Sequence, residues 1–133
     1  MSPHCSLPKN WQSYISQRIQ PLGYSLAEPE SLAKAILDLS NFFIRGRFQN
    51  DYWKEARFRA AYLTYFASLN YLRASHMFLE GKRLGFAQDV KTVVDWGCGA
   101  GSASLAFFLE SGITPHEILG IDKSEYALRE YSE

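Results

Sequence analysis

The chain has 133 residues, of which 47% are hydrophobic and 15% aromatic, and its formal net charge is zero. This length allows one modest domain with a packed core, and the composition excludes a disordered protein. No run approaches the roughly 18 consecutive apolar residues of a membrane span, and the first residues lack a basic-then-apolar signal pattern. We therefore expect a cytoplasmic protein with no membrane partner.

The charges are unevenly distributed. Residues 1–94 carry twelve Lys and Arg against seven Asp and Glu, whereas residues 95–133 carry two against seven. The basic excess lies between Arg45 and Arg83, and Arg47 belongs to it. A basic helical part joined to an acidic part suits a protein that modifies nucleic acid, but a solvated helix face has the same composition. The candidate phosphate contacts are Arg57, Arg59 and Arg73.

The cysteines indicate neither a disulfide framework nor a metal site. There are only two, Cys5 and Cys98. His4 and Cys5 are adjacent but have no further ligand in range, so we expect a disordered N-terminal tail and no metal site.

The first half of the chain predicts helices. Apolar residues at helical spacing predict a first helix from Leu7 to Gln20, which Pro21 and Gly23 end. Ser25 and Glu28 form a possible capping box for a second helix that runs to about Arg45, before Gly46.

A third helical region is expected from Tyr52 to about Leu84, with Asp51 as its cap. Its apolar residues cover nearly the whole circumference, which indicates a helix that is buried or broken into two packed pieces. Asn70 is the expected break, because asparagine favours turns and caps. Tyr62 and Tyr65 suit core packing better than stacking on a ligand.

The most informative segment is Thr92–Ser102. The apolar pair Val93 and Val94 precedes Asp95, and three glycines follow at alternate positions before an amphipathic stretch from Ser102 to Glu110. This order predicts a buried strand, a tight turn and a helix start. Glycines suit such a turn because it needs unusual φ and ψ angles and lets a ligand approach bare backbone.

The spacing of these residues discriminates between nucleotide cofactors. A dinucleotide fingerprint needs its third glycine three positions after the second, where this chain has Ser102, and a phosphate-binding loop needs a lysine after the glycines. Asp95 repels phosphate and attracts an amino group or hydroxyls. The pattern Asp-x-Gly-x-Gly-x-Gly resembles motif I of the class I methyltransferases, which implies a Rossmann-like fold and S-adenosylmethionine as the cofactor.

A second acidic position agrees with that resemblance. Glu117 to Asp122 is another apolar run that ends in a carboxylate, about 20 residues beyond the last glycine, where nucleotide-binding βαβ units hold ribose hydroxyls. It matches motif II of the methyltransferases, and a third helical pattern follows it. The predicted cofactor-binding residues are Asp95, Trp96, Gly97, Cys98, Gly99, Ala100, Gly101, Asp122 and Lys123. Lys123 and Ser124 are candidates to border the adenine, and helix capping is the alternative.

The expected fold is therefore α/β, with a helical region over residues 1–88 and the beginning of the Rossmann-like domain over residues 89–133. Only the first two strands of that domain are expected in this chain, whereas the sheet of the class I methyltransferases has about seven strands. We therefore expect a fragment of a methyltransferase that is inactive by itself. No catalytic residue is assigned, because the acceptor-positioning residues of the superfamily follow the fourth strand.

A helical motif narrows the resemblance. The segment from Tyr52 through Arg57-Phe58-Arg59-Ala60-Ala61-Tyr62-Leu63-Thr64-Tyr65-Phe66 to Leu69-Asn70 is similar to the helix ahead of motif I in the ribosomal small-subunit methyltransferase-like family. Ser68 replaces a proline that is frequent there. The resemblance spans residues 50–131 and implies action on or with small-subunit ribosomal RNA. The alternatives are a non-catalytic ribosome assembly factor with a retained cofactor fold, and a methyltransferase that acts on a small molecule or protein.

Overall fold

The computed structural model describes residues 6–46, 51–86 and 89–132. These residues form two compact units, a first over Pro8–Ala67 and a second that combines Ser6 and Leu7 with the described residues from Ser68 onward. The helices are α1 (Trp11–Ile19), α2 (Pro29–Ile44), α3 (Ala56–Ala61), α4 (Ala67–Arg83), α5 (Ser102–Glu110) and α6 (Glu125–Ser132), and the strands are β1 (Thr92–Trp96) and β2 (Glu117–Ile121). The protein is thus of mixed α/β class, as expected.

The first unit begins with the predicted helix, which is shorter than expected. Helix α1 starts at Trp11, whose N–H donates to the carbonyl of Pro8. Its buried residues are Trp11, Ile15 and Ile19, one turn apart on one face. Gly23 ends the following 3₁₀ turn with φ of 84°, a left-handed conformation that glycine adopts without strain.

The second predicted helix is present, but the predicted capping box is wrong. Helix α2 begins at Pro29, whose fixed φ suits the first helical position. The Ser25 hydroxyl instead accepts the N–H of Ala27 at 3.1 Å. Gly46 follows the helix with φ of 64°, so the predicted end is confirmed.

Helices α2 and α3 enclose the core of this unit. Its buried centre consists of Ala35, Leu39, Phe58 and Ala61. Aromatic rings pack around it, and Tyr62 lies 4.5 Å from the Trp53 ring and is partly buried. The predicted core packing is therefore confirmed for Tyr62, whereas Tyr65 is 48% exposed.

The long helical region departs from the prediction in two places. Asp51 caps only a 3₁₀ turn, Tyr52–Lys54, by accepting the N–H of Trp53 at 3.0 Å. The predicted break at Asn70 is wrong, because α4 runs through that residue. The backbone irregularity is instead a π-helical turn over Tyr62–Phe66, which precedes α4 directly.

The second unit contains a βαβ arrangement. Strands β1 and β2 are parallel, with Val94 opposite Leu119 and Asp95 opposite Gly120. Side chains alternate between the two faces of a strand, and contacts of α5 and α6 lie on the face of Asp95 and Gly120. The opposite face presents exposed apolar side chains, namely Val94, Trp96, Leu119 and Ile121.

Helix α4 packs against α5 within this unit. The Phe78 and Phe107 rings meet edge to face with centroids 5.2 Å apart, and the buried Tyr71 donates its hydroxyl to Glu110 at 3.0 Å. In the part of the chain that the structure describes, no helix has the length and apolar character needed to cross a membrane. The predicted contributions of His4, Cys5 and Arg47, and the predicted domain boundary at residue 88, lie outside the described residues.

Candidate cofactor-binding site

The glycine turn after β1 is built from left-handed backbone. Gly97, Gly99 and Gly101 have φ values of 71°, 52° and 84°. L-residues with side chains avoid this region, so each of the three glycines meets a backbone requirement. The N–H groups of Gly97 and Cys98 both donate to the carbonyl of Ile121, at 2.6 and 2.9 Å. These two hydrogen bonds fix the turn to the end of β2.

Asp122 joins the two predicted motifs. Its Oδ2 accepts the Gly99 N–H at 3.0 Å, and its Oδ1 accepts the Ser124 N–H at 2.9 Å. Since each carboxylate oxygen accepts about two hydrogen bonds, one acceptor site on each oxygen is left for a ligand hydroxyl. The glycine turn and the second acid are thus in direct contact in the structure.

Asp95 faces the helices. Its Oδ2 accepts the Ser104 hydroxyl at 2.6 Å, and the Ser104 oxygen lies 3.0 Å from the Tyr131 hydroxyl. Because the single hydroxyl proton of Ser104 goes to Asp95, Tyr131 must donate to Ser104. The three side chains form a directed chain from Tyr131 through Ser104 to Asp95.

The Tyr131 ring fills space that two glycines leave. A Cβ on Gly101 would lie 2.9 Å from this ring, and a Cβ on Gly120 would lie 2.6 Å from it. A Cβ on Gly97 would meet no atom within 4 Å. Gly101 therefore accommodates a side chain of the protein itself, whereas the backbone at Gly97 is open to a ligand.

Sequence reasoning did not predict the roles of Ser104 and Tyr131. The sequence patterns place Ser104 only within the amphipathic stretch from Ser102 to Glu110, and Tyr131 only within the helical pattern that follows Asp122. The available signal was Gly120, a glycine inside an apolar strand, which often marks a close approach of another group.

Cys98 lies within the turn and is 7% exposed. Burial, together with the charges of Asp95 and Asp122, raises the pKa of its thiol from 9.0 to about 11. A thiol that stays protonated at neutral pH is a poor nucleophile and a poor metal ligand. Among the described residues, no group of three or more His, Cys, Asp or Glu side chains is placed to hold a metal ion.

The remaining predicted site residues occupy different surroundings. Trp96 is 82% exposed, and alternation along β1 places its side chain on the face opposite Asp95. Ala100 is partly buried in the turn, and Lys123 is exposed. Ser124 is buried, and its hydroxyl accepts the Ala127 N–H at 3.5 Å at the start of α6, as the capping alternative predicts.

Two of the predicted phosphate contacts already have partners within the protein. Arg57 pairs with Glu55 at 2.7 Å and Asp38 at 3.2 Å, and Glu55 raises the pKa of its guanidinium. Arg59 donates to the carbonyls of Trp53 and Lys54 at 2.7 and 3.0 Å. These contacts give both arginines a structural role within the first unit.

Arg73 differs from those two arginines. It is exposed on α4, and it makes no ion pair with another described residue.

The chain was compared with protein-family models, with curated proteins and with solved structures, and none of the three comparisons found a match.

Proposed function

We propose that this chain binds S-adenosylmethionine with the turn after β1 and belongs to a Rossmann-like class I methyltransferase. The observation that carries the proposal is the 3.0 Å hydrogen bond between Asp122 and the Gly99 N–H. It brings a glycine turn and a carboxylate together at the carboxyl ends of two parallel strands, where open α/β sheets bind ligands.

The chemistry of the turn fits this cofactor better than a dinucleotide. Asp95 and Asp122 both border the turn, and both lie close enough to Cys98 to raise the pKa of its thiol. Two carboxylates repel a pyrophosphate but accept hydrogen bonds from an amino group and from ribose hydroxyls. The open backbone at Gly97 leaves room for a ligand to lie against the chain.

Each residue has a defined task in this proposal. The cofactor supplies an electrophilic methyl group on a sulfonium. Asp95 accepts hydrogen bonds from the amino end of the bound molecule, and Asp122 uses its remaining acceptor sites for the two ribose hydroxyls. Transfer of a methyl group is an in-line displacement, so the protein contributes chiefly by positioning and by exclusion of water.

The methyl acceptor that we propose is small-subunit ribosomal RNA. The support is the similarity of the Tyr52–Asn70 segment to the ribosomal methyltransferase-like family and the basic excess before β1. Because Arg57 and Arg59 are bound within the protein, Arg73 is the better candidate of the three for a phosphate contact. The alternative function is that of a ribosome assembly factor, which would bind RNA and cofactor without transferring the methyl group.

Calorimetric titration of the chain with S-adenosylmethionine tests cofactor binding. Asp122→Ala removes a charged acceptor for two hydroxyls, and we expect about 10- to 100-fold weaker binding, since hydrogen bonds to charged groups contribute roughly 1.5–3 kcal/mol. Glu117→Gln is the control, because Glu117 begins β2 and lies at the end of the strand away from Asp122. Gly99→Val should abolish binding, because a branched residue strains a backbone with φ of 52°.

The absence of any binding by the folded wild-type chain would refute the cofactor assignment. Radiolabelled methyl transfer to small-subunit rRNA, measured with the full-length protein because this chain is expected to be inactive by itself, then separates enzyme from assembly factor. Label in the RNA supports the enzyme, and binding of RNA and cofactor without label supports the assembly factor.

A further inference from the structure

We propose that Tyr131 is a positioning residue that orients the Asp95 carboxylate through Ser104, so that Asp95 recognises the amino-acid end of the cofactor. This inference rests on the proposed S-adenosylmethionine site and extends it to two residues outside the glycine turn. It concerns the recognition of the amino-acid end of the cofactor.

The first observation is the direction of the two hydrogen bonds that join Tyr131, Ser104 and Asp95. Ser104 donates to Asp95 Oδ2 at 2.6 Å, and Tyr131 donates to Ser104 over 3.0 Å. A hydroxyl that accepts one hydrogen bond becomes a stronger donor in the next, so Tyr131 strengthens the bond that holds Asp95. With Oδ2 fixed in this way, Oδ1 is the oxygen left to accept from an amino group.

The packing of Tyr131 carries the second step. Its ring occupies the space beside Gly101 and Gly120, where a Cβ on either glycine would come within 3 Å of it. The ring is therefore held in one place on the face of the sheet that carries Asp95. A hydroxyl on a fixed ring has a defined position, which a positioning role requires.

The third observation is that the two ends of the glycine turn have different surroundings. Gly101 is covered by the Tyr131 ring, whereas a Cβ on Gly97 would meet no atom within 4 Å. Of these two positions, the Gly97 end of the turn is therefore the one open to a ligand, and Asp95 is two residues from that end along the chain. Asp122, bound to Gly99, serves the ribose and not the amino end.

The test compares the binding of two ligands to this chain. S-adenosylhomocysteine carries the amino-acid end, and methylthioadenosine carries the same nucleoside without it. We expect Tyr131→Phe, which keeps the ring and removes the hydroxyl, to weaken S-adenosylhomocysteine about 3- to 10-fold and to leave methylthioadenosine unchanged. Ser104→Ala should act in the same direction, and it serves as the second variant if Tyr131→Phe does not fold.

Tyr126→Phe is the matched control on the same helix, because that ring lies against Arg129, whereas the contacts of Ser104 run to Asp95 and Tyr131. Equal weakening of both ligands in Tyr131→Phe, or no change in either, would overturn the positioning role while the cofactor site stands. A folded wild-type chain that binds neither ligand would overturn the proposed function and this role together.

Discussion

Asp122 accepts a hydrogen bond from the N–H of Gly99, at 3.0 Å and 23 positions away along the chain. One side chain thereby joins the end of β2 to the turn that follows β1. The same carboxylate accepts the Ser124 N–H ahead of α6, so a single residue fixes three segments at the edge of the sheet.

Asp122→Ala should loosen the turn even without ligand. Loss of the carboxylate leaves the Gly99 and Ser124 N–H groups without their partner, and we expect hydrogen exchange at these two amides to accelerate by about 10-fold or more. The Leu105 amide, which donates to the Gly101 carbonyl at 2.9 Å, is an internal reference. Unchanged protection of Gly99 would contradict this role of Asp122.

The fit between Gly120 and Tyr131 predicts a strong effect of a small substitution. Gly120→Ala places a Cβ 2.6 Å from the Tyr131 ring, and overpacking of this kind costs about 1–3 kcal/mol. Urea denaturation should show this decrease in the free energy of unfolding. In a Tyr131→Ala background, the further change Gly120→Ala should cause no such decrease.

Gly81→Ala is the control for that experiment. A Cβ there lies 3.7 Å from Phe86, an ordinary contact, and alanine in a helix is favoured over glycine by about 0.5–1 kcal/mol. We expect this variant to be stabilised. An equal cost for Gly120→Ala with and without Tyr131 would show that the ring is not its cause.

Cys98 should react slowly with alkylating reagents. A pKa of about 11 against an ordinary 9.0 lowers the thiolate fraction about 100-fold at neutral pH. In a Cys5→Ser background, the rate of iodoacetamide modification should rise with a midpoint near pH 11 in the folded protein and near pH 9 in urea.

The same shift makes stability depend on pH in a defined direction. Because the folded-state pKa is raised, the contribution of the protonated thiol is complete below pH 9.0 and is lost as the pH rises through about 11. Cys98→Ala should remove this component of the alkaline loss of stability. A folded-state alkylation midpoint near 9 would refute the inference of a raised pKa.

The arginines predict a ranked series of stabilities. Arg59→Ala removes a charged donor from two carbonyls and should cost about 1.5–3 kcal/mol. Arg57→Ala removes exposed ion pairs and should cost about 1 kcal/mol or less. Arg73→Ala, on an exposed part of α4, should change stability by no more than about 0.5 kcal/mol.

The effects of these arginine variants on the salt dependence of rRNA binding should follow the reverse order of their effects on stability. Removal of a residue that contacts phosphate lowers the salt slope by about one unit, and we expect this for Arg73→Ala and not for the Arg57/Arg59 double alanine variant. Parallel slopes for the wild type and Arg73→Ala would exclude Arg73 as a phosphate contact.

The sequence by itself determined the local elements of the second unit. The apolar pair before Asp95, the alternate glycines and the stretch from Ser102 to Glu110 predict a strand, a turn and a helix, and all three are present, although the strand is not buried as predicted, since Val94 and Trp96 are exposed. These features follow from short-range physics, because alternation, left-handed backbone and helix starts depend on neighbouring residues.

Tertiary packing overruled local preference in the helical region. Asn70 predicts a break, but α4 continues through it, since the adjoining Tyr71 is fully buried and its hydroxyl is bound to Glu110. Burial of such a residue contributes more than the fraction of a kcal/mol by which asparagine disfavours a helix. Ser25, in contrast, lacks its predicted capping role for a local reason, because Pro29 fixes the start of α2.

Only the tertiary structure determined which groups surround Asp95. Its partner Ser104 is nine positions away and Tyr131 a further 27, so no periodic pattern brings them together. Their contact depends on the parallel register that places Gly120 opposite Asp95 and so leaves room for the tyrosine ring. Sequence spacing can identify a turn and its acids, but three-dimensional packing decides which side chains hold those acids in place.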